Sequence, residues 1–197
     1  IARQRQIGWW ILESGIPKNV QDLSLDLELW QKLNLRLDKD NEETFATLKE
    51  WVNLPNAGML ISGTQGLGKS LLAICAGMDC LRSGQEVLFV TERELIDSYK
   101  GRRNAEKDVA LRAREVPVLI IDDLARHQID RGTAYLRELY LDIFDSRLPV
   151  FGSPMKTLIT SQHDAIGLAK WCMDDALASR LLAILQGNTF SLGGSDR

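Results

Sequence analysis

Gly63-Thr64-Gln65-Gly66-Leu67-Gly68-Lys69-Ser70 fits G-x-x-x-x-G-K-[ST], whose glycines let the backbone curl until several N–H groups face one anion. A helix starting directly after such a loop adds its positive dipole end. The flanks meet both needs of the motif. Gly58-Met59-Leu60-Ile61-Ser62 is a short apolar run of strand type, and Leu71-Leu72-Ala73-Ile74-Cys75-Ala76-Gly77-Met78 is apolar and mostly helix-forming. Residues 63–70 with Leu71 are therefore expected to hold a nucleotide. Lys69 would reach its β- and γ-phosphates, and the Ser70 hydroxyl would hold Mg²⁺.

Working outward, residues 2–14 suit a short amphipathic helix ended by Gly15-Ile16-Pro17, and residues 18–40 read as extended or loop. Asn41 to Thr44 opens a helix with apolar spacing of three and four through Phe45, Leu48, Trp51 and Val52. After the loop, strands are predicted at 86–90, 116–121, 156–160 and 189–192, with helices from Glu92 to about Arg102 or Arg103, at 133–145 and at 176–184. Val116-Pro117-Val118-Leu119-Ile120-Ile121 is apolar throughout, as a strand buried on both faces should be. Strands alternating with helices predict an α/β fold: three layers with a five-stranded parallel sheet, its ligand at the carboxyl ends of the strands. The connections 101–115 and 147–155 read as irregular surface segments.

Bulk properties bound the function. At 197 residues, 45% apolar and 26% charged, with a net charge of −3, the chain is long enough for one sizeable core and does not coat nucleic acid by bulk charge. Its 3 cysteines suggest neither a disulfide framework nor a zinc site and fit a reducing cytoplasm. His127 and His163 read as surface or packing residues. No apolar run approaches the roughly 20 residues that span a bilayer, so no membrane partner is expected. The chain begins with Ile, which suggests that it starts inside a longer protein.

A second site follows from the acidic pair Asp122-Asp123 at the end of the strongest strand. Asp122 is expected to bind the metal held by Ser70, directly or through water, and Asp123 to orient or deprotonate an attacking water. In isolation such a pair is better read as a turn or a helix cap, and it is the phosphate loop upstream that turns the reading to catalysis. The chain lacks the Asn/Thr-Lys-x-Asp base reader of a GTPase. Ser191-Leu192-Gly193-Gly194 resembles a transporter-ATPase signature but lies after the acidic strand, on the wrong side for that class.

Taken together, these segments resemble the AAA+ ATPases, and within them the DnaC-type helicase loaders and IstB-type transposition helpers. The resemblance rests on the loop at 63–70, Leu119-Ile120-Ile121-Asp122-Asp123-Leu124, Leu158-Ile159-Thr160-Ser161-Gln162 and Ala178-Ser179-Arg180-Leu181, with Gly15-Ile16-Pro17 as lead-in. It implies a helical lead-in segment over residues 1–50 and a P-loop ATPase core over 51–197. Gln162 stands where the family has an asparagine that senses the γ-phosphate, and Asp123 where most AAA+ proteins have glutamate. The shorter carboxylate implies slow hydrolysis. Arg180 resembles the arginine finger that reaches the ATP of a neighbouring copy, which implies self-association through a shared ATP site. The short stretch after Arg180 is expected to leave no room for a C-terminal helical lid.

Partners are implied by the same resemblance: a replicative helicase or a transposase, and single-stranded DNA. Tyr99, Lys100, Arg102, Arg103, Lys107, Arg112 and Arg114 set cations and one aromatic in the region the loaders use for single-stranded DNA. Glu106, Asp108 and Glu115 dilute that charge, as they would at a solvated helix end. A small-molecule phosphotransferase shares the loop, and a nucleotide-gated binding module would need no turnover.

Overall fold

The computed structural model describes residues 2–26, 28, 30, 39–100, 109–127, 129, 134–148 and 155–192. Its centre is a sheet of strands β1 (Ala57–Ser62), β2 (Val87–Thr91), β3 (Val118–Leu124), β4 (Lys156–Ser161) and β5 (Thr189–Ser191). They are all parallel and lie in the order β2-β3-β4-β1-β5. Alternate side chains point to opposite faces of a strand, and the core divides accordingly. Leu119 and Ile121 enter one buried cluster with Leu60, Leu88, Val90 and Ile159. Val118 and Ile120 enter the other with Met59, Ile61, Val87, Phe89 and Leu158. Both faces are covered, which is why these strands read as continuous apolar runs.

Helices α1 (Ala2–Glu13), α2 (Lys39–Asn53) and α3 (Lys69–Arg82) cover the second face, α2 through Phe45, Leu48 and Trp51 and α3 through Leu72 to Leu81. The first face carries α4 (Glu92–Lys100), α5 (Val109–Glu115), α6 (Ala134–Ser146), α7 (Ala165–Trp171) and α8 (Asp175–Leu185). Their starts are chemically marked. Thr91 and Glu94 form a reciprocal cap, with the Glu94 carboxylate accepting from the Thr91 amide at 2.8 Å and the Glu94 amide donating to the Thr91 hydroxyl at 3.2 Å. Asp164 caps α7 by accepting from Gly167 N at 2.7 Å, and Asp174 caps α8 by accepting from Leu177 N at 2.9 Å.

The structure corrects several sequence expectations. Helix α5 lies within the 101–115 segment expected to be an irregular connection, and α7 where no element was assigned, because each is only 7 residues long and too short to show a periodic stripe. Strand β3 starts two residues later than expected and runs through the acidic pair to Leu124. The stretch 18–40 is not simply extended: it contains a 3-10 turn at Lys18–Val20 and the first residues of α2. Residues 101–108 and 149–154, and with them Arg102, Arg103 and Lys107, lie outside the described residues.

The outer edge of β2 is met by the lead-in segment. Phe89 N donates to Ser14 O at 2.7 Å. Gly15 adopts φ 80, and a Cβ there would lie 2.3 Å from Phe89 O, so only glycine allows this approach. Among the described residues no helix is long and apolar enough to cross a membrane.

Candidate nucleotide site

The loop after β1 takes left-handed backbone at Gly63 (φ 141), Gly66 (φ 88) and Gly68 (φ 84). A Cβ at Gly63 would lie 2.7 Å from Leu192 O, so close packing as well as torsion demands glycine there. Gly68 is the N-cap of α3 and brings no side chain to its first N–H groups. Lys69 opens the helix, only 8% exposed. Its ammonium curls over its own loop, donating to Gly63 O at 2.8 Å and Thr64 O at 2.7 Å. Burial lowers the Lys69 pKa, while the charges of Asp123 and then Asp122 oppose that fall. The lysine and the acidic pair therefore feel one another across the site. Ser70 follows on the first turn with an exposed side chain, and Leu71 packs on the second core.

The acidic pair sits at an irregularity. Ile121 pairs with Ile159, but Leu124 pairs with Ser161, so β3 carries one residue more than β4 between those points. Such a bulge re-aims side chains and leaves backbone groups without ladder partners. Thr160 fills the gap: its hydroxyl accepts from Asp123 N at 2.9 Å and donates to Asp122 Oδ1 at 2.6 Å. Ser161 Oγ donates to Leu124 O at 2.7 Å and closes the same end. Asp123 (φ 58) and Ala125 (φ 71) are both left-handed without being glycine. Each such residue costs on the order of 1 kcal/mol and persists only where its surroundings over-determine it.

Glu92 supplies that over-determination, and the sequence reading missed it. The side chain is 2% exposed. Its Oε1 accepts from Ala125 N at 3.2 Å and Tyr140 Oη at 2.9 Å, and its Oε2 from Arg126 N at 3.1 Å and His127 N at 3.0 Å. The His127 ring Nδ1 also lies 2.7 Å from Oε2. Burial and the Glu92 charge push the Tyr140 phenol well above its ordinary pKa, which keeps it a donor. Trp171 Nε1 donates to His127 O at 2.5 Å, holding the turn from the side of α7. Arg126, mostly exposed, reaches back to Asp123 Oδ2 at 3.2 Å. Sequence placed Glu92 at the start of a predicted helix but offered no signal for its partners.

Strand β4 lies between β1 and β3, so Gln162, one residue past β4, follows a strand set between the loop and the acids. A cavity of about 480 Å³ is lined by Gly63, Thr64, Gln162, His163, Ser191 and Leu192, which brings Gln162 together with the loop. A second, of about 420 Å³, is lined by Asp122 and Asp123 with Thr91, Glu92, Arg93, Arg126 and His127. Arg180 lies elsewhere, on α8: its Nε donates to Asp145 Oδ1 on α6 and its Nη1 to Ala176 O at 3.0 Å. In the expected DNA region Tyr99 stacks on Tyr135 with centroids 6.4 Å apart, and Lys100 Nζ lies 5.2 Å above the Tyr135 ring. Arg112 faces Glu86 and donates to Glu13 O, so it is tied into the fold.

The residues present fit a nucleotide with its metal ion. The glycine cradle, the open start of α3 and Lys69 offer donors to phosphate. Among the described residues no cluster of three or more His, Cys, Asp or Glu could hold a metal alone. Mg²⁺ requires no such cluster, being bound in general through one or two protein oxygens plus substrate phosphates.

An all-parallel sheet in this order, with the phosphate loop after β1 and an acidic pair ending β3, defines a P-loop ATP-binding protein of the AAA+ class. The family model described as IstB-like ATP binding protein matches residues 26–190, and the chain belongs to that family. No curated protein sequence matches the chain. Among solved structures, DnaI is similar at a TM-score of 0.68 and 18% identity, over 90% of this chain and 94% of that one. The DnaC helicase loader is similar at 0.68 and 18%, over 90% and 100%. The replication initiator DnaA bound to AMPPCP and single-stranded DNA is similar at 0.68 and 16%, over 92% of this chain and 52% of that one. At these identities the likeness is one of fold.

Proposed function

We propose that this protein is an ATPase that assembles through a shared ATP site, binds single-stranded DNA and loads a replicative helicase in the cytoplasm. The observation that supports the hydrolytic reading is that the phosphate loop follows β1 and the acidic pair ends β3, the two strands that flank β4 in the parallel sheet. In this reading residues 63–71 hold the phosphates, and Lys69 neutralises charge on the β- and γ-phosphates. Ser70 and Asp122 would hold Mg²⁺, which when bound neutralises charge on the phosphate oxygens. Asp123 orients the attacking water, and Gln162 senses the γ-phosphate. Arg180 stabilises the developing charge on a neighbouring copy's ATP, so turnover depends on assembly.

The helicase and DNA assignments are supported by the fold shared with the DnaC helicase loader and with DnaA bound to single-stranded DNA. The family match favours one second reading, a transposition helper acting on duplex DNA. ATP hydrolysis measured with single-stranded DNA, duplex DNA and small phosphate acceptors separates them. Stimulation by single strands supports the loader, stimulation by duplex the transposition helper. A phosphorylated acceptor formed without free phosphate would overturn both in favour of a phosphotransferase. Lys69→Ala is expected to weaken nucleotide binding, and Asp123→Ala to retain binding while losing roughly 100-fold or more in turnover.

A further inference from the structure

We infer that Glu92 is a positioning residue for ATP hydrolysis, fixing through its hydrogen bonds the backbone from which Asp123 projects. The inference rests on the ATPase reading above. Five donors converge on the two oxygens of this one carboxylate, three of them the consecutive amides of Ala125, Arg126 and His127. Those amides begin two residues after Asp123. On its other side Asp123 is held by its own amide on Thr160 Oγ1. The acid is thus suspended between two anchors, one on β4 and one at the start of α4.

Glu92 does not act on substrate itself. It is buried, and its oxygens are filled by protein donors. What it supplies is the missing reason for the left-handed conformations of Asp123 and Ala125. Backbone in that region relaxes unless surrounding groups hold it. A released turn would leave Asp123 covalently in place but spread over several orientations, and orientation is what a water-positioning group contributes. Nucleotide affinity should be spared, because the phosphate donors belong to the separate segment 63–71.

An isosteric amide is the sharpest probe. In Glu92→Gln the side chain keeps one carbonyl oxygen and turns an NH₂ group toward N–H donors that cannot accept from it. Three measurements are made on the full chain: steady-state kcat, affinity for a non-hydrolysable ATP analogue, and hydrogen exchange of the amides at 125–127. The expected result is a fall in kcat of roughly 10- to 100-fold, affinity within about threefold, and faster exchange confined to the turn. Tyr140→Phe is the control. It removes one donor from the same buried carboxylate and should lower the melting temperature, but it leaves the three amides bonded and kcat within about twofold. If Glu92→Gln does not fold, Glu92→Asp, which withdraws the carboxylate by one methylene, is read by the same three measurements with a smaller fall in kcat expected.

Unchanged kcat or unchanged exchange at 125–127 in the Glu92 variant overturns the inference while leaving the ATPase reading intact. So does an equal loss of kcat in Tyr140→Phe, which would make the cluster merely structural. Absence of hydrolysis in the wild-type protein overturns the ATPase reading itself and the inference with it.

Discussion

The Thr160 hydroxyl donates to Asp122 Oδ1 at 2.6 Å while accepting from the neighbouring Asp123 amide. One side chain on β4 thereby orients a carboxylate and satisfies the donor that the β3 bulge leaves unpaired. Thr160→Val keeps the shape and removes both bonds. It is expected to cost about 1–3 kcal/mol, read as a lower urea midpoint with an unchanged slope. Thr160→Ser should recover most of that.

Arg126 and Asp123 form an exposed pair at 3.2 Å. Such pairs stabilise by about 0–1 kcal/mol. Arg126→Gln should therefore barely move the unfolding midpoint. If Asp123 orients the attacking water as proposed, the guanidinium competes for its carboxylate oxygen, and kcat should rise by up to about fivefold, the rate equivalent of that energy. A fall in kcat would show that Arg126 helps the reaction instead.

Arg180 is bridged to Asp145 within its own chain. For a finger acting on a neighbouring copy, that bridge is a competitor. Asp145→Asn should lower the protein concentration at which turnover begins, and Arg180→Ala should abolish the concentration dependence. Mixing Arg180→Ala with Lys69→Ala should restore part of the activity, measured as phosphate release across mixing ratios. No rescue at any ratio would count against action in trans.

Burial pushes the thiols of Cys75, Cys80 and Cys172 from 9.0 to about 12. The unfolded chain loses these protons near pH 9 while the folded chain keeps them, so their contribution is complete below pH 9 and lost between pH 9 and 12. At pH 10 the loss is on the order of 1 kcal/mol per thiol. Urea unfolding at pH 8 and pH 10 should show a larger fall for the wild-type chain than for the variant with all three replaced by alanine.

The sequence made β1, β2 and β3 legible because they are buried on both faces and so largely apolar, whereas β5 is short and mostly exposed. Loop and acids stood out for a related reason: their residue types suit few other purposes in that setting. Helix α7 was hidden because its cap, Asp164, and its glycine at 167 look like loop chemistry until the Asp164–Gly167 bond is seen. Glu92 was hidden more deeply. Its partners at Ala125 and His127 lie 33 and 35 positions away, and only the pairing of β2 with β3 brings them within reach. The bridge from Arg180 to Asp145 likewise depends on how α8 approaches α6, which no local pattern encodes.

Strand β2 ends the sheet, and Ser14 is the residue that meets its outer side at Phe89. A bare strand edge is a template for another chain. The lead-in segment thus doubles as a guard against misassembly: a chain shortened to begin at Lys18 should keep its nucleotide loop yet stick to itself along β2, in fibres or aggregates rather than in the ordered contact that a shared ATP site requires.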